Sequence, residues 1–221
     1  MTSHVIQNLA ATVLAVALAA AAAAQGFVYD TLLHEAAATG DLELVGYLLD
    51  RGADIDRRAE LDAATPLHLA ARQGQTAVVR LLVARGAAVG ARAVGGLTPL
   101  HMAAAAGHGG VAELLLAEGV PSSASSSGGT PMHLAALEGH AVVIALLLRH
   151  GADIEARGGE FQGTPLMTAA RNGHVAAVET LLRSGADMTA RDDVGMTALA
   201  RARAQGQTEM VEVLRRHGVL R

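Results

Sequence analysis

The chain of 221 residues contains no cysteine and no lysine, and these two absences exclude several kinds of chemistry. Without cysteine there is no disulfide, no thiolate metal site and no cysteine nucleophile. All 17 basic residues are arginine, so the lysine that P-loop proteins, protein kinases and pyridoxal phosphate enzymes require is missing as well. The lack of cysteine indicates no particular compartment, because it fits oxidising and reducing surroundings equally.

Aromatic residues and net charge are also low. Only 2% of the residues are aromatic, whereas 51% are hydrophobic, and most of those are Ala, Leu and Val. Small apolar side chains suit thin, closely packed helices better than a core built around large rings. The formal net charge of −4 offers no basic surface to nucleic acid, so we expect no nucleic-acid partner.

The first 29 residues carry no acidic or basic side chain, except that His4 can take up a proton. From Leu9 to Ala24 every residue except Thr12 is apolar. Such a run, ending in small residues, is typical of a secretory signal, although the basic start is missing. We therefore predict that residues 1–24 are a leader of the signal-peptide type, which would make the protein secreted or periplasmic. The alternatives are a cytoplasmic Ala-rich helix or tail, which would cap the fold or reflect a mis-assigned start, and a membrane anchor, for which the run is short.

The rest of the chain repeats itself. A motif of the type Thr-Pro-Leu-His recurs with small changes, and it occurs at 65–68, 98–101, 130–133 and 164–167, with degraded copies at 31–34 and 197–200. Successive copies begin 34, 33, 32, 34 and 33 residues apart. A glycine followed by Gln or His recurs in phase with the motif, at Gly74, Gly107, Gly139 and Gly173. A fixed period of about 33 residues indicates a repeat architecture.

Each part of the repeat has a mechanical explanation. Thr is a good N-cap and Pro fits the first helical position, so Thr-Pro predicts the start of a first helix. The glycine that follows permits the left-handed residue that ends this helix. A second helix comes next, and in residues 142–148 it is apolar on most sides, which indicates burial between neighbours. One such unit cannot bury its own apolar face, so we predict a stack of units.

On these motifs the chain resembles the ankyrin repeat family over about residues 27–221. The resemblance implies an all-α solenoid of stacked helix–turn–helix units joined by β-turn or hairpin loops, preceded by the apolar leader. End units of such arrays are more polar, so the first and the last unit are expected to act as caps. The six predicted units are 27–59, 60–92, 93–124, 125–158, 159–191 and 192–221.

Residues 121–129 depart from the pattern. They contain five serines and two glycines, and the repeat is one residue shorter here. Because a Ser/Gly-rich stretch is flexible, we predict a loose hairpin between units three and four, and its role stays open.

Ten histidines raise the question of metal binding or catalysis. His68, His101 and His133 recur once per unit, about 8–10 Å apart, which is too far for them to share an ion. We expect each of them to form a hydrogen bond with the neighbouring turn. Asp192 and Asp193 are expected to lie in an open turn, without the burial that shifts a pKa. No serine lies in a nucleophile-elbow motif, so we expect no metal, no cofactor and no catalysis.

The resemblance places partner binding on the concave side of the array, which is formed by the turn tips and the outer positions of the first helices. Phe161 is the strongest candidate, because an aromatic ring near Arg171 has the composition of an interface hot spot. The alternative is a ring that folds down onto its own unit. The predicted partner-binding residues are Leu61, Asp62, Arg72, Gln73, Leu97, Leu137, Glu138, Phe161, Arg171, Asn172, Met196 and Gln205.

The sequence therefore predicts a monomeric, non-enzymatic scaffold that binds another protein. The alternative is a membrane-tethered or exported protein whose array is the recognition arm or regulator of an enzyme or effector. Contact with a membrane is expected only if the leader stays uncleaved. The identity of the partner is not encoded in any pattern that we find.

Overall fold

The computed structural model describes residues 28–219, so the predicted leader lies outside the described residues. Within that range the chain forms twelve α-helices and no strand, and isolated β-bridges join Ser126 to Gly129 and Gly158 to Gly163. None of these helices has both the length and the apolar character that crossing a membrane requires. The helices are α1 (28–39), α2 (Leu42–Asp50), α3 (Pro66–Arg72), α4 (Thr76–Ala84), α5 (Pro99–Ala106), α6 (Gly109–Ala117), α7 (Pro131–Leu137), α8 (Ala141–Arg149), α9 (Pro165–Arg171), α10 (Val175–Arg183), α11 (Ala198–Ala204) and α12 (Thr208–Val219).

Consecutive helices form pairs, and the pairs stack in the order of the chain. Units one to six comprise α1–α2, α3–α4, α5–α6, α7–α8, α9–α10 and α11–α12. From α3 onward each first helix packs against the first helix of the next unit, and from α2 onward each second helix packs against the next second helix. The predicted all-helical solenoid is thereby confirmed.

The start and the end of the first helices follow the predicted mechanism. The Thr98 hydroxyl accepts a long bond of 3.5 Å from the backbone N–H of His101, while the His101 ring accepts the Thr98 N–H at 3.2 Å. At the other end of α5, Gly107 has φ +77°, which is the left-handed conformation expected there. A Cβ at Gly107 would lie 2.6 Å from Nδ1 of His140, so only glycine fits beside that ring.

One continuous apolar core runs through all six units, from Leu33 in α1 to Leu214 in α12. The third position of the motif supplies its large side chains, and these are fully buried at Leu67, Leu100, Met132 and Leu166. Pairs of fully buried alanines follow on the same helices, as at Ala103–Ala104, and they let neighbouring first helices approach closely. The chain has few aromatic residues because large rings would not fit between helices that pack this closely.

The hairpin at residues 121–129 is present, but it is fastened rather than loose. Ser126 and Gly129 exchange backbone hydrogen bonds of 2.9 and 3.0 Å. The Ser127 N–H donates to the Gly95 carbonyl oxygen at 2.8 Å, and Arg92 donates to the Ser125 carbonyl oxygen at 2.8 Å. These bonds tie the Ser/Gly-rich turn to unit three, so the expectation of a loose hairpin was wrong.

The two end units differ in polarity. In the last unit, α12 exposes Glu209, Glu212 and Arg215, as a cap should. In the first unit Glu35 and Glu43 are exposed, but several large apolar side chains are exposed beside them. The first unit is therefore only partly polar.

Candidate interaction surface

A buried histidine at the start of each first helix of units two to four ties that unit to the next. Its Nδ1 accepts the backbone N–H of the capping Thr, which leaves the proton on Nε2. The Nε2–H groups of His68, His101 and His133 donate to the carbonyl oxygens of Leu97, Gly129 and Gly163 at 3.0, 3.2 and 3.0 Å. The expected hydrogen bond between each histidine and the neighbouring turn is confirmed.

The same histidines are held in the neutral form. Burial lowers the pKa of all three rings, against the opposing effect of the bonds to backbone carbonyls, and it lowers the pKa of His101 to about 4. Within residues 28–219 no group of three or more His, Asp or Glu side chains lies close enough to hold a metal ion. The histidines therefore act as structural ties between layers.

A second tie runs backward, from the residue between the two helices of one unit to the end of the previous first helix. A side-chain Nε2 donates to a backbone carbonyl oxygen in each case, at 2.8 to 3.4 Å. The pairs are Gln75 with Ala38, His108 with Arg72, His140 with Ala105, His174 with Leu137, and Gln207 with Arg171.

A third set of ties joins the turns that precede the first helices. An arginine just before the hairpin donates to the backbone of the next turn, and a backbone N–H near the hairpin tip donates to the preceding tip. The arginine ties are Arg58 to Arg92, Arg92 to Ser125 and Arg157 to Arg191. The backbone ties are Val94 to Asp62, Ser127 to Gly95 and Asp193 to Phe161.

The junction between units four and five has neither of these turn ties in the described structure. Ser125 occupies the position that an arginine takes in the turns before α3, α5, α9 and α11, and its side chain makes no such hydrogen bond to the next turn. No backbone hydrogen bond joins residues 126–129 to residues 158–163. The bases of the two hairpins nevertheless touch, since a Cβ at Gly158 would lie 2.6 Å from the Cα of Gly129. The two tips are therefore unconnected at this one described junction.

A groove of about 240 Å³ opens there. Helix α7 contributes Leu134 and Leu137 to it, and helix α9 contributes Met167 and Arg171. The turn of unit five adds Phe161, together with glycine backbone. Turns and first helices thus line one surface, which we call the turn face, and the groove at this junction combines apolar side chains with polar and charged ones.

Phe161 lies partly buried between two arginines. The guanidinium carbon of Arg171, in the same unit, lies 5.2 Å from the ring centroid, and that of Arg201, in the next unit, lies 3.9 Å away. Arg171 also approaches Glu160 at 3.5 Å, with both side chains exposed to solvent. The ring is therefore neither a freely exposed interface residue nor one that folds onto its own unit alone. It packs across a unit boundary and still lines the groove.

The expectation that Asp192 lies in an open turn was wrong. Its side chain is 1% exposed and accepts hydrogen bonds from the backbone N–H groups of Val194 (3.1 Å) and Met196 (2.9 Å) and from Nε of Arg201 (2.6 Å). Burial alone would raise the pKa of this carboxyl, but the hydrogen bonds and the charge of Arg201 lower it overall. The carboxylate folds back into its own turn and fixes Arg201 beneath Phe161.

None of the twelve predicted partner-binding residues is buried. Leu61, Arg72, Gln73, Leu137, Glu138, Asn172 and Gln205 are exposed, and Asp62, Leu97, Phe161, Arg171 and Met196 are partly buried. The groove between units four and five brings four of them together: Leu137, Phe161, Arg171 and Asn172. Leu61 and Asp62 line a second groove, of about 430 Å³, beside unit one. The other six line neither groove.

Among the side chains of the first groove that sequence reasoning missed are Leu134, Met167 and Arg201. Leu134 lies one helical turn before Leu137, so the spacing along α7 could have revealed it. Met167 takes the fourth motif position, where units one to four carry histidine, and that substitution is a visible signal. Arg201 has no signal of this kind in the sequence, because its contact with Phe161 crosses a unit boundary.

Comparison with known proteins agrees with the repeat. A family model described as ankyrin repeats (3 copies) matches residues 17–93, 33–122, 86–158 and 156–219. Among curated proteins, the palmitoyltransferase Hip14 of Drosophila melanogaster is 46% identical over 57 residues, which are 26% of this chain and 9% of that protein.

Protein phosphatase 1 regulatory subunit 27 of Homo sapiens, like that of Mus musculus, is 46% identical over 55 residues. These residues are 25% of this chain and 35% of that protein, so the chain spans about a third or less of the curated relatives it matches. The matches of the family model, by contrast, together cover most of the chain. The chain belongs to the ankyrin repeat family, whose repeats imply protein–protein interaction.

Proposed function

We propose that this chain is a non-enzymatic scaffold that binds a partner protein through its turn face, centred on the groove between units four and five. The turn face corresponds to the concave side on which the family resemblance places partners. The observation that carries the proposal is the loss of both turn ties at this one described junction, where the groove lined by Leu137 and Phe161 also opens.

The groove has the chemistry of a protein-binding centre. Stable interfaces combine an apolar core with a polar rim, and their energetic anchors are often aromatic or arginine side chains. Here Leu134, Leu137 and Met167 supply apolar walls, whereas Arg171 and Phe161 supply the anchors.

The backbone at the junction also suits a partner in an extended conformation. At neighbouring junctions a tip N–H is paired with the carbonyl oxygen of the preceding tip. The matching groups between units four and five are the Glu160 N–H and the Ser127 carbonyl oxygen, and they form no such bond. A peptide strand offers both a donor and an acceptor to such an edge.

An alternative is that the array regulates an enzyme or effector. It draws support from two of the relatives, which are regulatory subunits of protein phosphatase 1. We further propose that the chain acts as a monomer and binds no nucleic acid, in keeping with its net charge of −4. For its localisation two proposals stand, export with cleavage after residue 24 and retention in the cytoplasm, and the mass of the mature chain separates them.

The direct test is affinity capture by the immobilised full chain, compared among three variants. Leu137→Glu and Phe161→Ala change the groove, whereas Val142→Glu changes an exposed side chain on α8, away from the groove. We expect the captured partner to be lost with the first two variants and retained with the third. Capture of the same protein by all three variants would contradict the proposal.

A further inference from the structure

The first unit exposes apolar side chains at positions that later units cover. Leu32 directly follows the Thr of the degraded motif and is 37% exposed, whereas the residue at the same place in each of the next four units is a buried proline. Tyr47, in α2, is 50% exposed. Its counterparts Leu81 and Leu114 are partly buried, and Leu146 is buried. These two positions are therefore more exposed in unit one than in units two to four, and they mark an open apolar face of unit one.

Two more side chains enlarge this face. Val28 in α1 is 51% exposed and Leu42 at the start of α2 is 44% exposed. We call Val28, Leu32, Leu42 and Tyr47 the leading face. An end unit that meets only water needs a polar outer surface, and a group of exposed apolar side chains on one end unit indicates a surface that something binds.

The segment nearest to the leading face has matching chemistry. Residues 9–24 are uncharged and, except for Thr12, entirely apolar, and the described chain begins at Val28, on the face itself. A connection of only three residues gives such a segment a very high effective concentration at this face.

The family match supplies an independent argument. It begins at residue 17, inside the apolar run and eleven residues before Val28. The chain thus resembles the repeat before the first described unit starts. Cleavage after Ala24 would remove residues 17–24 from the matched region, whereas retention would keep them beside the face that lacks a cover.

We infer that residues 9–24 of this chain bind the leading face of unit one and remain part of the mature protein. The segment takes the place of a preceding unit and removes Leu32 and Tyr47 from water. This assigns the apolar run to the array itself, and it favours retention over export.

The absence of cysteine makes the test clean, because an introduced cysteine is the only thiol in the chain. Tyr47→Cys and Val142→Cys are each made in the full chain and labelled with a maleimide. Val142 is 78% exposed on α8 and serves as the matched control. We expect Tyr47→Cys to react at least about tenfold more slowly than Val142→Cys, because reaction requires the cover to open. Adding Leu14→Glu and Leu18→Glu should bring the two rates together.

A third thiol shows whether the array is still folded. Leu115→Cys, at a fully buried position, should stay unreactive in the Leu14→Glu, Leu18→Glu background. Equal labelling of Tyr47→Cys and Val142→Cys in the unaltered leader would overturn the inference. So would protection that grows with protein concentration, since a second copy would then be the cover. An intact mass that lacks residues 1–24 would also overturn it.

Discussion

The Nε2 atom of His101 lies 3.2 Å from the carbonyl oxygen of Gly129, across the boundary between units three and four. The other ring nitrogen accepts the N–H of Thr98, so one neutral imidazole links a helix start to the turn of the next unit. Each ring bond is therefore made by an uncharged group, and a proton added to Nδ1 would remove the acceptor. The contact between units three and four therefore depends on pH through the protonation of His101.

Acid should destabilise the array in a defined window. The pKa of His101 is about 4 in the folded chain and near 6.5 when unfolded, so between these values the unfolded chain binds more protons. The unfolding free energy therefore falls as the pH drops below about 6.5, and this loss is complete below about 4. For His101 alone we expect a loss of about 2 kcal/mol between pH 7 and pH 5. Urea unfolding at both pH values measures it, and His101→Gln should show a smaller difference; an unchanged difference would count against the tie.

Two glycines should respond in opposite directions to alanine. Gly107→Ala places a Cβ in a left-handed conformation and 2.6 Å from the His140 ring, and we expect a loss of about 2 kcal/mol or more. Gly46→Ala lies inside α2 with nothing within 4 Å, and we expect a gain of about 0.5–1 kcal/mol. Chemical denaturation midpoints of the pair provide the measurement. Similar midpoints for both variants would be incompatible with the packing of His140 on Gly107.

The ion pair beneath Phe161 should depend on both of its members. Asp192→Asn leaves the guanidinium of Arg201 buried without its counter-charge, since that side chain is 11% exposed, and we expect a loss of about 3 kcal/mol. Adding Arg201→Met removes the stranded charge and should restore part of the stability. Thermal or denaturant unfolding of both single variants and the double variant closes the cycle. Strictly additive losses would show that the two side chains do not interact.

The missing turn tie can be supplied by one substitution. Ser125→Arg places an arginine where the other turns carry one, and the Arg157 carbonyl oxygen is its expected acceptor, by analogy with Arg92 and Ser125. We expect a gain of about 0.5 kcal/mol from the added hydrogen bond, together with weaker capture of the partner as the groove closes. Ser123→Arg adds the same charge elsewhere on the exposed segment and should change neither quantity. If Ser125→Arg captured as much partner as the unaltered chain, the missing turn tie would play no part in binding.

The sequence was sufficient to predict the features that each unit determines for itself. Thr98 and Pro99 begin a helix, Gly107 ends it, and His101 contacts the next turn, because local backbone rules and a constant period govern all of these. The stacking follows as well, since no single unit covers its own apolar residues.

Features that depend on contacts between two units could not be predicted from local backbone rules and the repeat period. The burial of Asp192 depends on Arg201, and the position of Phe161 depends on the same arginine from the following unit. The groove lies at the junction where Ser125 stands in place of an arginine, and a serine in a serine-rich turn carries no signal of that loss. The exposed leading face likewise becomes visible only when Leu32 is compared with the buried prolines.

Amide hydrogen exchange, measured on the chain alone and with its captured partner, tests the central claim most directly. We predict that the partner slows exchange in residues 126–129 and 158–163 and at the end of α7, which surround the groove. The second helices α8 and α10 should be unaffected. Protection confined to α8 and α10, with unchanged exchange in the two turns, would contradict binding through the turn face.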